Sequence, residues 1–388
     1  MADGDSFTEI STQSWGGRLI ESIKGVAVGA LLFLIAFPVL FWNEGRAVKT
    51  ARALTEGRNS VVLVDGAHVL PANKGRLVHL TGEATTAETV ACDLTHLSRN
   101  AVKLERRVEM FQWTEEEHSK SEKELGGGEK TVTTYDYKKS WSSTAHDSSR
   151  FKKTEGHINP AMTYESGTIK AREVKVGEFS LNPTLIGAII AADRVAVAPA
   201  DLAKAPPEIR SKAKILSDGV LFVGADANNP QVGDYRISYT MAPSNMPVSI
   251  IARQVEHSLE EYRSKSGYSV QLLQMGTVSA DSMFKQAEDQ NRMLTWILRL
   301  IAFLLMAFGL GLIFNPLATF ADVIPIVGSF LRGGIGFFAM MVALPLSFLT
   351  IALAWLSYRP VLALALVALA VGMVFLARQV FSKKSAAT

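Results

Sequence analysis

The stretch GVAVGALLFLIAFPVLFW, Gly25–Trp42, carries no charged residue over 18 positions. A helix crossing a bilayer core needs about 20 apolar residues, with roughly 17–25 usual. The apolar core of a signal peptide is shorter, about 7–15 residues, and ends in a small-residue cleavage site. This run ends in Phe41-Trp42, a pair suited to the membrane interface, and reads as an uncleaved anchor. Pro38 marks a bend or exit near its end. Three more uncharged windows follow at Leu300–Phe314, Gly333–Leu356 and Val361–Ala377. The second extends back to Thr295, because Trp296 and Arg299 can lie at the interface with the arginine snorkelling. Gly309 and Gly311 allow another helix to approach it closely.

These windows divide the 388 residues. The expected fold class is a multispan α-helical membrane protein with four transmembrane helices. A large strand-rich α+β extramembrane domain lies between helices one and two. The expected segments are an N-terminal cytoplasmic segment (1–24), helix one (25–42), the domain (43–294) and helix two (295–314). A re-entrant or interfacial linker follows (315–332), broken by Pro316, Pro325, Gly328 and Ser329. Helix three (333–356), helix four (361–377) and a basic tail (378–388) complete the chain. Four spans put both termini on one side and the domain on the other. Arg18, Lys24 and the tail favour cytoplasmic termini. Arg46, Lys49 and Arg52 after the first window nearly balance them, so charge alone leaves orientation open.

The formal charge is +3, and Asn43–Trp296 holds 32 basic and 32 acidic residues. A neutral domain is a poor footprint for nucleic acid, and none is expected as a partner. Strands are expected at Val61–Val64, Leu77–Leu80, Lys103–Trp113, Thr131–Trp141, Gly167–Val174, Val220–Gly224, Tyr235–Thr240, Val248–Ile251 and Tyr268–Leu273. Gly126-Gly127-Gly128 marks a flexible turn between two of them. Helices are expected at Thr86–Leu97, Pro183–Ala191, Val255–Ser264 and Ala280–Leu294, the last running into helix two. The proline-bearing segment 197–208 is a surface connector that can split the domain into two lobes.

Little in the sequence is catalytic. The single cysteine, Cys92, allows no intrachain disulfide and no cysteine zinc site. The seven histidines form no HExxH or other close ligand pair. GxSxG, GxxxxGK[ST] and GxGxxG are absent. His146-Asp147-Ser148 reads as a turn, since neighbours in sequence rarely make a relay geometry. No metal or cofactor is expected. Intramembrane carriers usually keep ionisable groups inside their spans, and these windows have almost none. The polar groups at or near membrane depth are Asn43, Glu44, Arg46, Arg299, Asn315, Asp322, Arg332 and Arg359. They are the membrane-proximal structural or interface candidates, because an unpaired polar group there is expensive.

The segments NEGRAV (Asn43–Val48), LTEGRNSVV (Leu54–Val62), RRVEMFQWTE (Arg106–Glu115), YDYKKSW (Tyr135–Trp141), DSSRF (Asp147–Phe151), GDYRISY (Gly233–Tyr239), TWILR (Thr295–Arg299), NPLATFADVIPIVG (Asn315–Gly328) and IALAWLSYRP (Ile351–Pro360) resemble the transmembrane protein 43 (LUMA) family. The chain reads as a bacterial member of it. The resemblance implies a self-associating organiser of membrane complexes, which animal members form with emerin and lamins in the endoplasmic reticulum and inner nuclear membrane. It also implies a lumenal or external domain and cytoplasmic termini. A bacterial member would sit in the inner membrane with its domain periplasmic, and without lamins. The leading expectation is a non-enzymatic membrane scaffold whose partners are membrane lipids, copies of itself and other membrane proteins. A channel or transporter subunit is the alternative, and a membrane-bound hydrolase a remote one.

Overall fold

The computed structural model describes residues 5–361. Two compact units emerge. Among the described residues, the first comprises 5–10, Thr55–Lys120 and Val132–Lys285. The second comprises Ser11–Leu54, Ser121–Thr131 and 286–361.

Among the described residues the first unit has two large sheets and one two-stranded sheet, Tyr262–Arg263 with Ser269–Val270. One has nine strands. Its path runs from β1 (Asp5–Gln13) through β4 (Glu129–Ser142), β3 (Ser98–Lys123) and β5 (Tyr235–Pro243) to Leu221–Val223 and Ala213–Ile215. The β3 and β5 strands run antiparallel from Tyr235 opposite Met110 to Met241 opposite Leu104. The period-two alternation of Lys103–Trp113 sends Leu104, Val108 and Met110 into the core, with Ile237 and Tyr239 in the same cluster. In the second sheet, β2 (Leu77–Thr85) pairs with β6 (Met246–Val255). The remaining pairings, through Ser258–Glu260, Phe179–Leu181 and Lys175–Val176, close this sheet into a ring. Val78, Leu80, Val248 and Ile250 fill it. Burying such a side chain contributes about 1.5–3 kcal/mol.

Two local expectations fail for physical reasons. Residues 86–97 form a short strand, Thr89–Ala91, and a turn rather than a helix. The Asn100 amide donates to the carbonyls of Thr86 and Glu88, and His96 takes a positive φ of 56°. Residues 255–264 are strands, because Glu256 turns left-handed (φ 54°) and Val255 returns opposite Ser258. The proline-rich connector holds two short helices, Pro199–Leu202 and Pro207–Arg210, and places Val197, Ala205 and Ile209 in the same core as the strands. Near the N-terminus β1 pairs with β4, and Phe7 stacks near Tyr135. Asp5 ion-pairs with Lys153 (3.2 Å) and lies 2.9 Å from His157 Nε2, and Glu9 ion-pairs with Lys152 (2.6 Å).

The second unit is helical. Three helices, α1 (Trp15–Ser60), α2 (Ala280–Ala321) and α3 (Pro325–Tyr358), are long and apolar enough to cross a membrane. At 1.5 Å per residue α1 is about 69 Å long, so a bilayer core covers only part of it. The expectation of four spans is corrected to three among the described residues. The fourth window, 361–377, lies outside them. Hydropathy reads each window by itself, whereas a span is a continuous helix. The stretch 315–332 illustrates the difference: α2 continues to Ala321, a short turn follows, and α3 begins with Pro325 at a position where no amide donor is needed. Pro38, Pro316 and Pro345 all lie inside helices. The backbones of α1 and α2 meet at Gly29 and Gly309, where a Cβ on either residue would lie 2.6 Å from the other's carbonyl oxygen. Gly311 has open space beside it. Ala36, Leu40, Ala302, Met306, Ala339 and Ala343 form the core among the three helices.

Candidate functional site

Seven of the eight polar candidates fall into two groups within the helical unit. The first joins the start of NEGRAV to α2 and α3. In α2, Asn291, Thr295 and Arg299 recur every four residues, so they form one stripe along a helix face. Glu44 is 1 % exposed. Its carboxylate accepts a fork of two bonds from Arg299, Nε to Oε1 at 2.6 Å and Nη2 to Oε2 at 2.8 Å. Trp355 Nε1 of α3 donates to the same Oε2 at 2.8 Å. Arg299 also lies over the Trp296 ring, 4.7 Å from its centroid. One turn along, Asn43 donates to the Thr295 carbonyl (3.1 Å), while Arg46 donates to Asn291 Oδ1 (2.9 Å) and Thr295 Oγ1 (2.9 Å). Asn291 returns a bond to the Ala47 carbonyl. A charged pair is worth most when both partners are desolvated and geometrically fixed, and here a third helix shares the carboxylate.

The second group centres on Asp322, in the turn between α2 and α3 and fully buried. Three cations from separate parts of the chain meet it: Arg18 at 2.6 Å, Lys123 at 2.8 Å and Arg332 at 2.8 Å. Arg18 also donates to the Gly127 carbonyl (2.6 Å) and pairs with Glu129 (3.1 Å). The tip of the β3–β4 hairpin therefore belongs to this helical group. Gly126 and Gly127 have φ of 91° and 83°, a region that favours glycine. The Gly126 amide donates to the Val323 carbonyl, and Gly127 lies against the Trp15 ring with no room for a Cβ. Trp15 Nε1 donates to the Thr319 carbonyl. Gly328 allows the first turn of α3 to close over the Asp322 carboxylate.

Beside Asp322 lies a cavity of about 340 Å³, lined among others by Arg18, Glu21, Ser22, Glu129, Asn315 and Arg332. The sequence singled out Asn315, Asp322 and Arg332. It missed Arg18, Lys123 and Glu129, whose convergence depends on the hairpin tip. The signals were the glycine triplet and the Arg18–Glu21–Ser22–Gly25 spacing, which is one helix face. Arg359 is the eighth candidate. It is exposed at the end of α3, and its backbone amide bonds the Trp355 carbonyl.

In the first unit the one thiol is structural. Cys92 is buried, with Arg106 Nη1 at 3.0 Å and the Tyr239 hydroxyl at 3.6 Å. Burial pushes the thiol up, but bonds from Thr95, Tyr239 and Arg106 outweigh it and leave it below its ordinary range. Burial, with the charge of Cys92, pushes the Tyr239 phenol up. Asp147 caps a single turn, Ser148–Arg150, through the Ser149 amide, so His146, Asp147 and Ser148 make a loop. Among the described residues no group of three or more His, Cys, Asp or Glu is placed to hold a metal.

The family described as Transmembrane protein 43 matches residues 110–360. Transmembrane protein 43 of Mus musculus is 37 % identical over 374 residues, covering 93 % of this chain and 91 % of the relative. That of Homo sapiens is 36 % identical over 386 residues, covering 95 % and 94 %. The Transmembrane protein 43 homolog of Drosophila melanogaster is 28 % identical over 359 residues, covering 86 % and 89 %. No solved structure matches the chain. These relatives are animal proteins, which overturns both the bacterial assignment and the bacterial inner-membrane location. The motifs specify helix ends and strands, which are the same physical objects in any bilayer, so they carry no mark of a bacterial source.

Proposed function

We propose that this chain, which belongs to the transmembrane protein 43 family, organises membranes by self-association and by binding partners through its large folded domain. It is a non-enzymatic membrane protein, and its extramembrane domain and long apolar helices suit a scaffold. The observation that carries the proposal is how the charged groups near the membrane are used. Glu44 is bound by Arg299 and Trp355, and Asp322 by Arg18, Lys123 and Arg332. Such groups fix helices to one another. A transport path instead needs ionisable groups facing a water-filled cavity and free to change partner. Beside these paired groups the helical unit presents Leu304, Phe308, Phe337, Met341 and Phe348 outward, a surface fit for lipid or for another copy.

The test is the mass of the purified full chain in detergent and in lipid nanodiscs, measured by mass photometry. A scaffold that self-associates gives one defined oligomer in both. A monomer in both environments refutes self-association and moves the search to a different membrane protein, sought by crosslinking to the domain.

A further inference from the structure

The cavity beside Asp322 has two kinds of wall. Gly25 and Leu312 line it from within the apolar windows, while Arg18, Glu21, Asn315 and Arg332 supply polar atoms. A space that is apolar toward the span and polar beyond it matches the level where lipid headgroup meets acyl chain. Charge there is unevenly met. Arg18, Lys123 and Arg332 face Asp322 and Glu129, so this inner group keeps one positive charge in excess. Glu21 stands on the cavity rim, exposed and without an ion-pair partner among the described residues. Asn315 lies in the membrane-spanning helix α2 and lines the same cavity. Its amide has no hydrogen-bond partner among the described residues. A polar amide in an apolar span is costly unless something bonds it.

We propose that this cavity binds the headgroup of a zwitterionic phospholipid, a phosphate bearing an ammonium two carbons away. Arg332 and the Asn315 amide donate to the phosphate oxygens, and the Arg18 charge behind them supplies the positive potential. Glu21 receives the ammonium. The acyl chains leave along the Gly25 and Leu312 wall. Arginine suits phosphate through its planar, fixed donors, and the unpaired Glu21 carboxylate favours a zwitterionic over an anionic headgroup. The site deepens the organising role proposed above by naming a lipid class. It uses residues of one chain, so it stands or falls separately from self-association.

The test uses the full chain in nanodiscs holding equal amounts of phosphatidylethanolamine and phosphatidylglycerol. The protein is then released into mild detergent, and its retained lipid is counted by native mass spectrometry on each oligomeric species. The wild type is expected to retain phosphatidylethanolamine about tenfold over phosphatidylglycerol, the scale of one charge-assisted bond. Glu21→Gln brings the ratio close to one, and Asn315→Ala lowers retention of both lipids. Neither side chain has a protein partner to lose among the described residues, so both variants are expected to melt with the wild type. Equal retention of the two lipids by the wild type overturns the proposal, as does an unchanged ratio in Glu21→Gln. A third arm adds millimolar inorganic phosphate: retention unaffected by it assigns the site to the lipid, and loss of the lipid overturns the headgroup reading in favour of a free-anion site.

Discussion

Replacing Glu44 by alanine removes the carboxylate that three helices share. Arg299 then loses both bonds of its fork, at 2.6 and 2.8 Å, and Trp355 Nε1 loses its acceptor at 2.8 Å. Breaking a buried ion pair by deleting one partner costs about 3–5 kcal/mol, mostly from the charge left uncompensated. The Arg299 side chain is 17 % exposed and rests on Trp296, so it can recover some solvation. The expected loss is therefore at the lower end, about 3 kcal/mol. Glu44→Gln keeps an acceptor for Trp355 and for one arginine nitrogen, and is expected to cost about half as much. The double variant Glu44→Leu/Arg299→Met removes both charges at similar volume. It is expected to lie within about 1 kcal/mol of the wild type, because such replacements are often neutral. The assay is denaturant unfolding of the full chain in one detergent, followed by tryptophan fluorescence, with all variants in a double-mutant cycle. The reasoning is refuted if Glu44→Ala falls within about 0.5 kcal/mol of the wild type. It is also refuted if the double variant is as unstable as the two single losses added together.

Other sites give further predictions. Asp201 takes both arms of the Arg99 guanidinium (2.9 and 2.6 Å) and the Ala198 amide, and the Arg99 bonds hold its carboxyl below the usual range despite burial. Its stabilisation is complete above the unfolded carboxyl value of about 3.9 and is lost as pH falls toward the lower folded value. Asp201→Asn should therefore flatten the stability profile in that acid window, read by circular dichroism at fixed temperature. Burial, reinforced by a bond to Glu115, pushes the Tyr137 phenol up to about 12. Its contribution is full below its ordinary value of 10.0 and lost as pH rises toward the folded value, so Tyr137→Phe should remove one late step, above the range of an ordinary tyrosine, from a spectrophotometric titration. Gly29→Val should weaken α1 against α2 by about 1–3 kcal/mol, seen as a lowered melting temperature in detergent. Cys92 should resist alkylation in the native chain and react at the rate of domain unfolding, measured with a maleimide.

What the sequence made legible follows from range. Lys103–Trp113 and Thr131–Trp141 alternate with period two, and both appear as strands because the pattern is local and strong. The Gly126–Gly128 turn was legible for the same reason, since two positive φ angles need glycine. Thr86–Leu97 and Val255–Ser264 misled because their apolar spacing also fits a helix, while the deciding bonds come from Asn100 and from a left-handed Glu256. The candidates Asn43, Glu44, Arg46 and Arg299 were recognisable one by one as polar groups at membrane depth. Their pairing was not, although the four-residue recurrence of Asn291, Thr295 and Arg299 carried the necessary register. Lys123 had no local signal at all. Its partner Asp322 lies about 200 positions away, and only the hairpin tip brings them together.

The same pairing explains why the positive-inside count gave no answer. That count treats each arginine near a span as a free charge that prefers one side of the membrane. Arg18 is held by Asp322 and Glu129, Arg46 by Asn291 and Thr295, Arg299 by Glu44, and Arg332 by Asp322. Their positions are set by what they must bind at the helix ends, so they appear at both ends of the bundle and cancel as a topological signal. Asp322 and Glu44, read as exceptions to an apolar environment, are the reason those arginines are there. A charge balance taken after removing internally paired groups is thus the better guide for a helical unit of this kind, and here it leaves Lys24 and Glu21 as the side chains near the start of α1 still open to lipid headgroups.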